Sequence, residues 1–200
     1  MTSPSTPTPA NTTGPDSTIL VYTGGARQET EDVLSVYADL RCPFCRRMEL
    51  GLGAVMADLA VQGRFRLEYH FATFIDNAAG GSGSLHALSA VGAASDVGQE
   101  QSLRYIRALF ASQPAEEDDL FADSDLLLRI ADEIEGLRGP SFDRQVADGT
   151  YLPWARRVSG AFQTSGITGT PTVLLNGRPV SVLGPQGYAV TPEAFLAQLE

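Results

Sequence analysis

The chain's only two cysteines stand three residues apart, in Cys42-Pro43-Phe44-Cys45. Their place constrains the fold. Val33-Leu34-Ser35-Val36-Tyr37-Ala38 has the apolar content of a buried strand, and Met48-Glu49-Leu50-Gly51-Leu52 continues a helical pattern. The motif must therefore turn a strand into a helix and leave its first sulfur at the helix N-terminus. Unpaired N–H groups and the helix macrodipole there favour a thiolate. This is the layout of a dithiol redox site.

With 200 residues and 43% hydrophobic content, the chain can build one domain with a real core. A disulfide scaffold is excluded, because a bridge across so short a loop removes little chain entropy. A cysteine pair that adds little to folding points to chemistry. The net charge of −10 argues against general nucleic-acid binding. Near the thiols the sign reverses, since Arg41, Arg46 and Arg47 flank the pair. These arginines either solvate the helix or supply a local positive field that lowers a thiol pKa. No apolar run reaches membrane-spanning length, and residues 1–17 carry no positive segment followed by an apolar one. The expectation is a cytoplasmic protein that engages no membrane.

Residues 1–17, rich in Ser, Thr, Pro and Asn, read as a disordered tail. A short edge strand is expected at 18–22, a strand at 33–39, a helix at about 43–61 and a second strand in Phe65-Arg66-Leu67-Glu68-Tyr69-His70-Phe71. That order is a βαβ unit. Residues 77–84 form a Gly-rich loop, after which apolar residues recur at helical spacing to about residue 164. The run Glu116-Glu117-Asp118-Asp119 reads as a solvated helix start. Strand character returns in Pro171-Thr172-Val173-Leu174-Leu175, and Asn176-Gly177 signals a hairpin into Arg178-Pro179-Val180-Ser181-Val182. Thr191 and Pro192 then open a last helix. The fold class is α/β, with one unit made of 18–83 and 165–200 and a helical insert at 84–164.

Several other chemistries are disfavoured. His70 and His86 lie too far apart for a zinc finger, and a single C-x-x-C completes no zinc site. Gly80-Gly81-Ser82-Gly83 lacks the Lys-Ser/Thr ending of a phosphate loop. Trp154 and Phe162 read as core rather than substrate contacts.

Tyr37-Ala38-Asp39-Leu40-Arg41-Cys42-Pro43-Phe44-Cys45, the long helical insert and Gly169-Thr170-Pro171-Thr172 together resemble the thioredoxin-like superfamily, and within it the DsbA-like branch. The resemblance spans about residues 18–200. It implies a protein thiol–disulfide oxidoreductase without a cofactor or metal, acting on protein or peptide thiols and disulfides and reset by a redox partner. It further implies an exposed nucleophile at Cys42, a buried resolving thiol at Cys45, and a cis-proline at Pro171. Thr170, Pro171, Pro43 and Phe44 would meet the substrate. Two positions depart from the pattern: Phe44 replaces the histidine of strongly oxidising members, and Val36 stands where a buried acid lies in thioredoxin. Asp39 is the nearest carboxylate and is either a proton relay to Cys45 or a loop residue. Two rival readings are a thioredoxin-fold interaction module and a reductase of small-molecule disulfides or peroxides.

Overall fold

The computed structural model describes residues 6–24 and 31–199. The elements are β1 (Thr12–Thr13), β2 (Ile19–Tyr22), β3 (Val33–Asp39), α1 (Pro43–Val61), β4 (Arg66–Ala72), α2 (Phe74–Ala78), α3 (Gly83–Val97), α4 (Gln99–Ala111), α5 (Ser124–Ala131), α6 (Pro140–Ala147), α7 (Leu152–Gln163), β5 (Thr172–Leu175), β6 (Arg178–Val180) and α8 (Pro192–Leu196). No helix among the described residues is long and apolar enough to cross a membrane.

The strands form one sheet in the order β1-β2-β4-β3-β5-β6. Among the described strands only β3 and β4 pair in parallel, because α1 carries the chain back across the sheet between them. Alternation along β3 decides its faces. Leu34, Val36 and Ala38 are fully buried, whereas Tyr37 turns to the opposite face and stacks on His70 at 4.4 Å between ring centroids. The β5–β6 hairpin turns at Asn176 (φ 51°) and Gly177 (φ 80°), the left-handed pair that a two-residue turn requires. At the start of α8 the Thr191 hydroxyl accepts the Ala194 N–H at 3.2 Å.

The structure corrects four expectations. Residues 6–17 are not a disordered tail; residues 1–5 lie outside the described residues. Asn11 Nδ2 donates to the Ser95 carbonyl at 2.8 Å, Ser95 Oγ donates to the Ala10 carbonyl at 2.6 Å, and Trp154 Nε1 donates to the Ser17 carbonyl at 2.8 Å. This segment supplies β1, so β2 is flanked on both sides and is not an edge strand. The helical insert also starts earlier than residue 84, since α2 directly follows β4 and α3 begins at Gly83. One continuous buried cluster runs from Leu34 and Val36 through Leu88 and Val91 to Trp154, so the insert shares its core with the sheet. The fourth correction concerns Asp119, which precedes the 3-10 turn Leu120–Ala122 but does not cap it with its side chain. Its carboxylate accepts the N–H groups of Ser82 at 2.9 Å and Gly83 at 2.7 Å, where α3 begins.

Candidate active site

Cys42 is the N-cap of α1, with extended backbone (φ −74°, ψ 119°), and Pro43 opens the first turn. Pro43 suits that position because a first-turn N–H has no helical partner. The Cys42 sulfur accepts the Cys45 N–H at 3.4 Å, a cap made by a thiol instead of a hydroxyl. Both cysteines are free thiols. The start of β5 closes over them. The Thr170–Pro171 peptide bond is cis, and the Cys42 thiol donates to the Thr170 carbonyl at 3.6 Å. The expected exposure of Cys42 needs correction, because it is 4% exposed against 0% for Cys45. The motif's outward surface is Pro43, half-buried, and Phe44, exposed.

The two thiols are strongly split. Cys42 is pulled down to about 6, first by a hydrogen bond from the Cys45 thiol and then by Thr170 and the N–H groups of Cys45 and Phe44, all against the opposing effect of burial. Burial drives Cys45 well above the ordinary thiol range, and the neighbouring Cys42 adds to the rise. The Thr170 hydroxyl is buried without a conventional hydrogen bond, and it lowers both thiols.

The flanking arginines do not act as a group. Arg41 is only 3% exposed and points inward. Its Nη1 meets Asp76 Oδ1 at 2.8 Å, the Gly80 carbonyl at 2.9 Å and Asp119 Oδ1 at 3.1 Å, while Nη2 donates to the Glu116 carbonyl at 2.8 Å. Arg46 donates Nε to the Phe110 carbonyl at 3.0 Å. Both therefore tie the redox turn to the insert, and the depression of Cys42 comes chiefly from hydrogen bonds.

Asp39 belongs to the same seam. It is fully buried, and its carboxylate accepts Ser84 Oγ at 2.7 Å, Arg41 N–H at 3.0 Å and Ile75 N–H at 3.1 Å. Burial pushes it up to about 6, with those three donors opposing the rise. Its backbone N–H helps to lower Cys45. The carboxylate itself is spent on the seam between strand and insert, which favours a structural role over the proton relay.

Sequence reasoning missed three groups. Gln113 Nε2 reaches from the end of α4 to the carbonyls of Leu40 at 2.8 Å and Cys42 at 3.2 Å. Glu49, one helical turn after Cys45, is buried and accepts the Tyr69 hydroxyl at 3.2 Å, and burial pushes it up to about 7. Tyr69 lies opposite Val36 in the β3–β4 register, so an acid is present on this face even though Val36 is apolar. The pattern Cys45, Met48, Glu49, Leu52 on one helical face was the available signal. Tyr188 is the third: its ring centroid lies 5.0 Å from the guanidinium carbon of Arg47, which also stands beside the Phe44 ring.

The remaining expectations have plain outcomes. His86 sits in the first turn of α3 with Nδ1 2.9 Å from the Ser82 carbonyl, and His70 Nε2 lies 3.4 Å from Glu68 Oε2. Among the described residues no cluster of His, Cys, Asp or Glu could hold a metal. Trp154 is core, whereas Phe162 is half-buried and lines an apolar cavity of about 220 Å³ with Tyr37 and His70, remote from the cysteines in its lining.

The family model described as Thioredoxin matches residues 25–200. No curated protein matches the chain. Among solved structures, the reduced disulfide bond oxidoreductase DsbG from Mycobacterium tuberculosis is 26% identical, covering 91% of this chain and 85% of its own, with a TM-score of 0.72. Oxidised DsbA from Mycobacterium tuberculosis is also 26% identical, covering 91% of this chain and 90% of its own, with a TM-score of 0.71. The thiol–disulfide oxidoreductase MdbA from Actinomyces oris shares the fold at 22% identity, 91% and 87% coverage and a TM-score of 0.69. With a cysteine-capped helix, a cis Thr170–Pro171 bond and an insert between the two halves of the sheet, the chain belongs to the thioredoxin family as a DsbA-like member.

Proposed function

We propose that the protein is a thiol–disulfide oxidoreductase that exchanges a Cys42–Cys45 dithiol for a disulfide with protein or peptide substrates. The observation that carries this reading is the split pair: a thiol held near 6 at the cap of α1, 3.6 Å from the Thr170 carbonyl, with a second thiol buried behind it. The Cys42 thiolate attacks a substrate disulfide, whose S–S bond breaks as a Cys42–substrate bond forms and one substrate sulfur leaves as thiolate. Cys45 then loses its proton and attacks the Cys42 sulfur. The second substrate sulfur leaves, and the protein is oxidised by the two electrons that the substrate gains.

Run in reverse, the same steps donate a disulfide. Direction is set by the surrounding redox poise, where about 30 mV is worth 1.4 kcal/mol. The M. tuberculosis DsbG and DsbA structures support the reading at 26% identity. Pro43, Phe44, Thr170 and Pro171 line the approach to Cys42, and an extended substrate segment there would bond to the free backbone beside Thr170. The test is a pair of variants in an insulin-reduction assay. Cys42→Ser abolishes exchange, and Cys45→Ser accumulates a mixed disulfide on Cys42. Turnover retained by both would end this reading.

A further inference from the structure

The loop joining β6 to α8 is drawn over the first turn of α1. Leu183 bridges to Ala189, Gly184 N–H donates to the Tyr188 carbonyl at 2.8 Å, and Gly187 N–H donates to the Gly184 carbonyl at 2.9 Å. Gly187 (φ 75°) lies flat on the Phe44 ring, where a Cβ would stand 2.7 Å from Phe44 Cε1. Arg47 completes the arrangement. Its Nη1 donates to the Gly187 carbonyl at 3.1 Å, and its guanidinium carbon sits 5.1 Å from the Phe44 ring centroid and 5.0 Å from that of Tyr188.

One cation thus contacts two aromatic rings, yet Phe44 remains 46% exposed and Tyr188 64% exposed. Uncovered aromatic rings around an arginine suit a contact surface, because aromatic and arginine side chains dominate binding energy and a two-torsion ring loses little side-chain freedom on binding. This surface is continuous with the redox site, since Phe44 is two residues from Cys42.

Charge narrows the occupant. Arg41, on the same turn, is neutralised by Asp76 and Asp119. Among the described residues, neither Arg46 nor Arg47 has a carboxylate partner; their hydrogen bonds go to backbone carbonyls. A chain of net charge −10 thus keeps two uncompensated cations beside its most reactive sulfur. We propose that Phe44, Arg47 and Tyr188 form a docking ledge for the segment flanking a substrate's cysteine, and that the ledge favours segments with Asp or Glu next to that cysteine. The proposal rests on the thiol–disulfide reading and adds a substrate preference to it.

Two fluorogenic mixed-disulfide peptides, identical except for Glu or Gln on either side of the cysteine, test it. The wild-type protein should reduce the Glu peptide about three- to five-fold faster in kcat/KM at low salt, the range of an exposed ion pair, and the ratio should shrink as salt rises. Arg47→Gln should bring the ratio to about one by the same measure. Tyr188→Ala should slow both peptides. Hydroxyethyl disulfide, too small to reach the ledge, reports on the dithiol alone. A wild-type ratio of one, or an Arg47→Gln protein that keeps the wild-type ratio, overturns the ledge while exchange with hydroxyethyl disulfide leaves the dithiol reading standing. Absence of exchange with all three substrates overturns both.

Discussion

Gln113 holds Cys42 from the far side of the redox turn: its side-chain Nε2, 71 residues away in sequence, donates to the Cys42 carbonyl at 3.2 Å and to the Leu40 carbonyl at 2.8 Å. The turn that caps α1 is thus shaped partly by the insert. Gln113→Leu removes both bonds at similar volume. The Cys42 carbonyl still accepts the Arg46 N–H at 3.1 Å, so the larger penalty falls at Leu40. The expected loss is about 1–2 kcal/mol in urea denaturation, with slower exchange in the insulin assay. Unchanged stability would show that solvent replaces the amide without cost.

Alkylation of the reduced protein should follow a single ionisation near pH 6, report Cys42, and leave Cys45 unmodified until far higher pH. Thr170→Val keeps the shape and removes the buried hydroxyl that lowers both thiols. Its alkylation midpoint should move upward. Because that hydroxyl has no conventional partner, the substitution should leave thermal stability near the wild-type value. An unmoved midpoint would assign the depression of Cys42 to Cys45 and the α1 N–H groups alone.

What could be read from the letters was mostly local. The cysteine cap of α1, the left-handed Asn176-Gly177 turn and the Thr191 cap each depend on residues within a few positions of one another. Long-range polar contacts left no such trace. Arginine beside a cysteine reads as surface charge, yet Arg41 is buried because Asp76 and Asp119 arrive from distant segments to neutralise it. The order of residues 6–17 escaped notice for a different reason: it rests largely on backbone carbonyls at Ala10 and Ser17, and backbone groups carry no letter. Burial of Glu49 depends on Gly53, where a Cβ would stand 2.2 Å from the Glu49 Oε1 atom, a packing requirement invisible before the fold is known.

The Arg41 seam should be costly to break from the cation side. Arg41→Met leaves the Asp76 carboxylate, whose side chain is only 6% exposed, with the Ser84 and Leu85 N–H groups but no countercharge, and releases Asp119, which is 33% exposed, from its cation. Removing one partner of a buried pair costs about 3–5 kcal/mol, a large share of the roughly 5–15 kcal/mol that keeps a domain folded. Asp119→Asn should cost much less, because its site is partly solvated and an amide still accepts one of the two N–H groups of Ser82 and Gly83. Denaturation midpoints of the two variants check the order. Equal losses would mean that capping of α3, and not the charge of Arg41, dominates the seam.

Glu49 should make stability fall as pH rises toward neutrality. Its carboxyl is pushed from the ordinary 4.5 up to about 7 by burial, with the Tyr69 hydroxyl and the charge of Arg107 opposing the rise. Between those pH values the native state keeps a proton that the unfolded chain has released, so folding is progressively disfavoured until pH exceeds about 7. Asp39, raised from 3.8 to about 6, acts in the same direction over a lower window. Cys42 opposes both in the reduced protein: its thiol is lowered from 9.0 to about 6, so its contribution grows from pH 6 to 9 and is absent once a disulfide forms. The oxidised protein therefore isolates the carboxyls. Glu49→Gln keeps an acceptor for the Tyr69 hydroxyl and carries no charge to bury. In the oxidised state it should match the wild type at pH 4 and exceed it by about 3 kcal/mol at pH 8, since each pKa unit is worth about 1.4 kcal/mol. A difference of the same size at both pH values would show that Glu49 stays ionised in the native protein and that its burial is offset by Arg107.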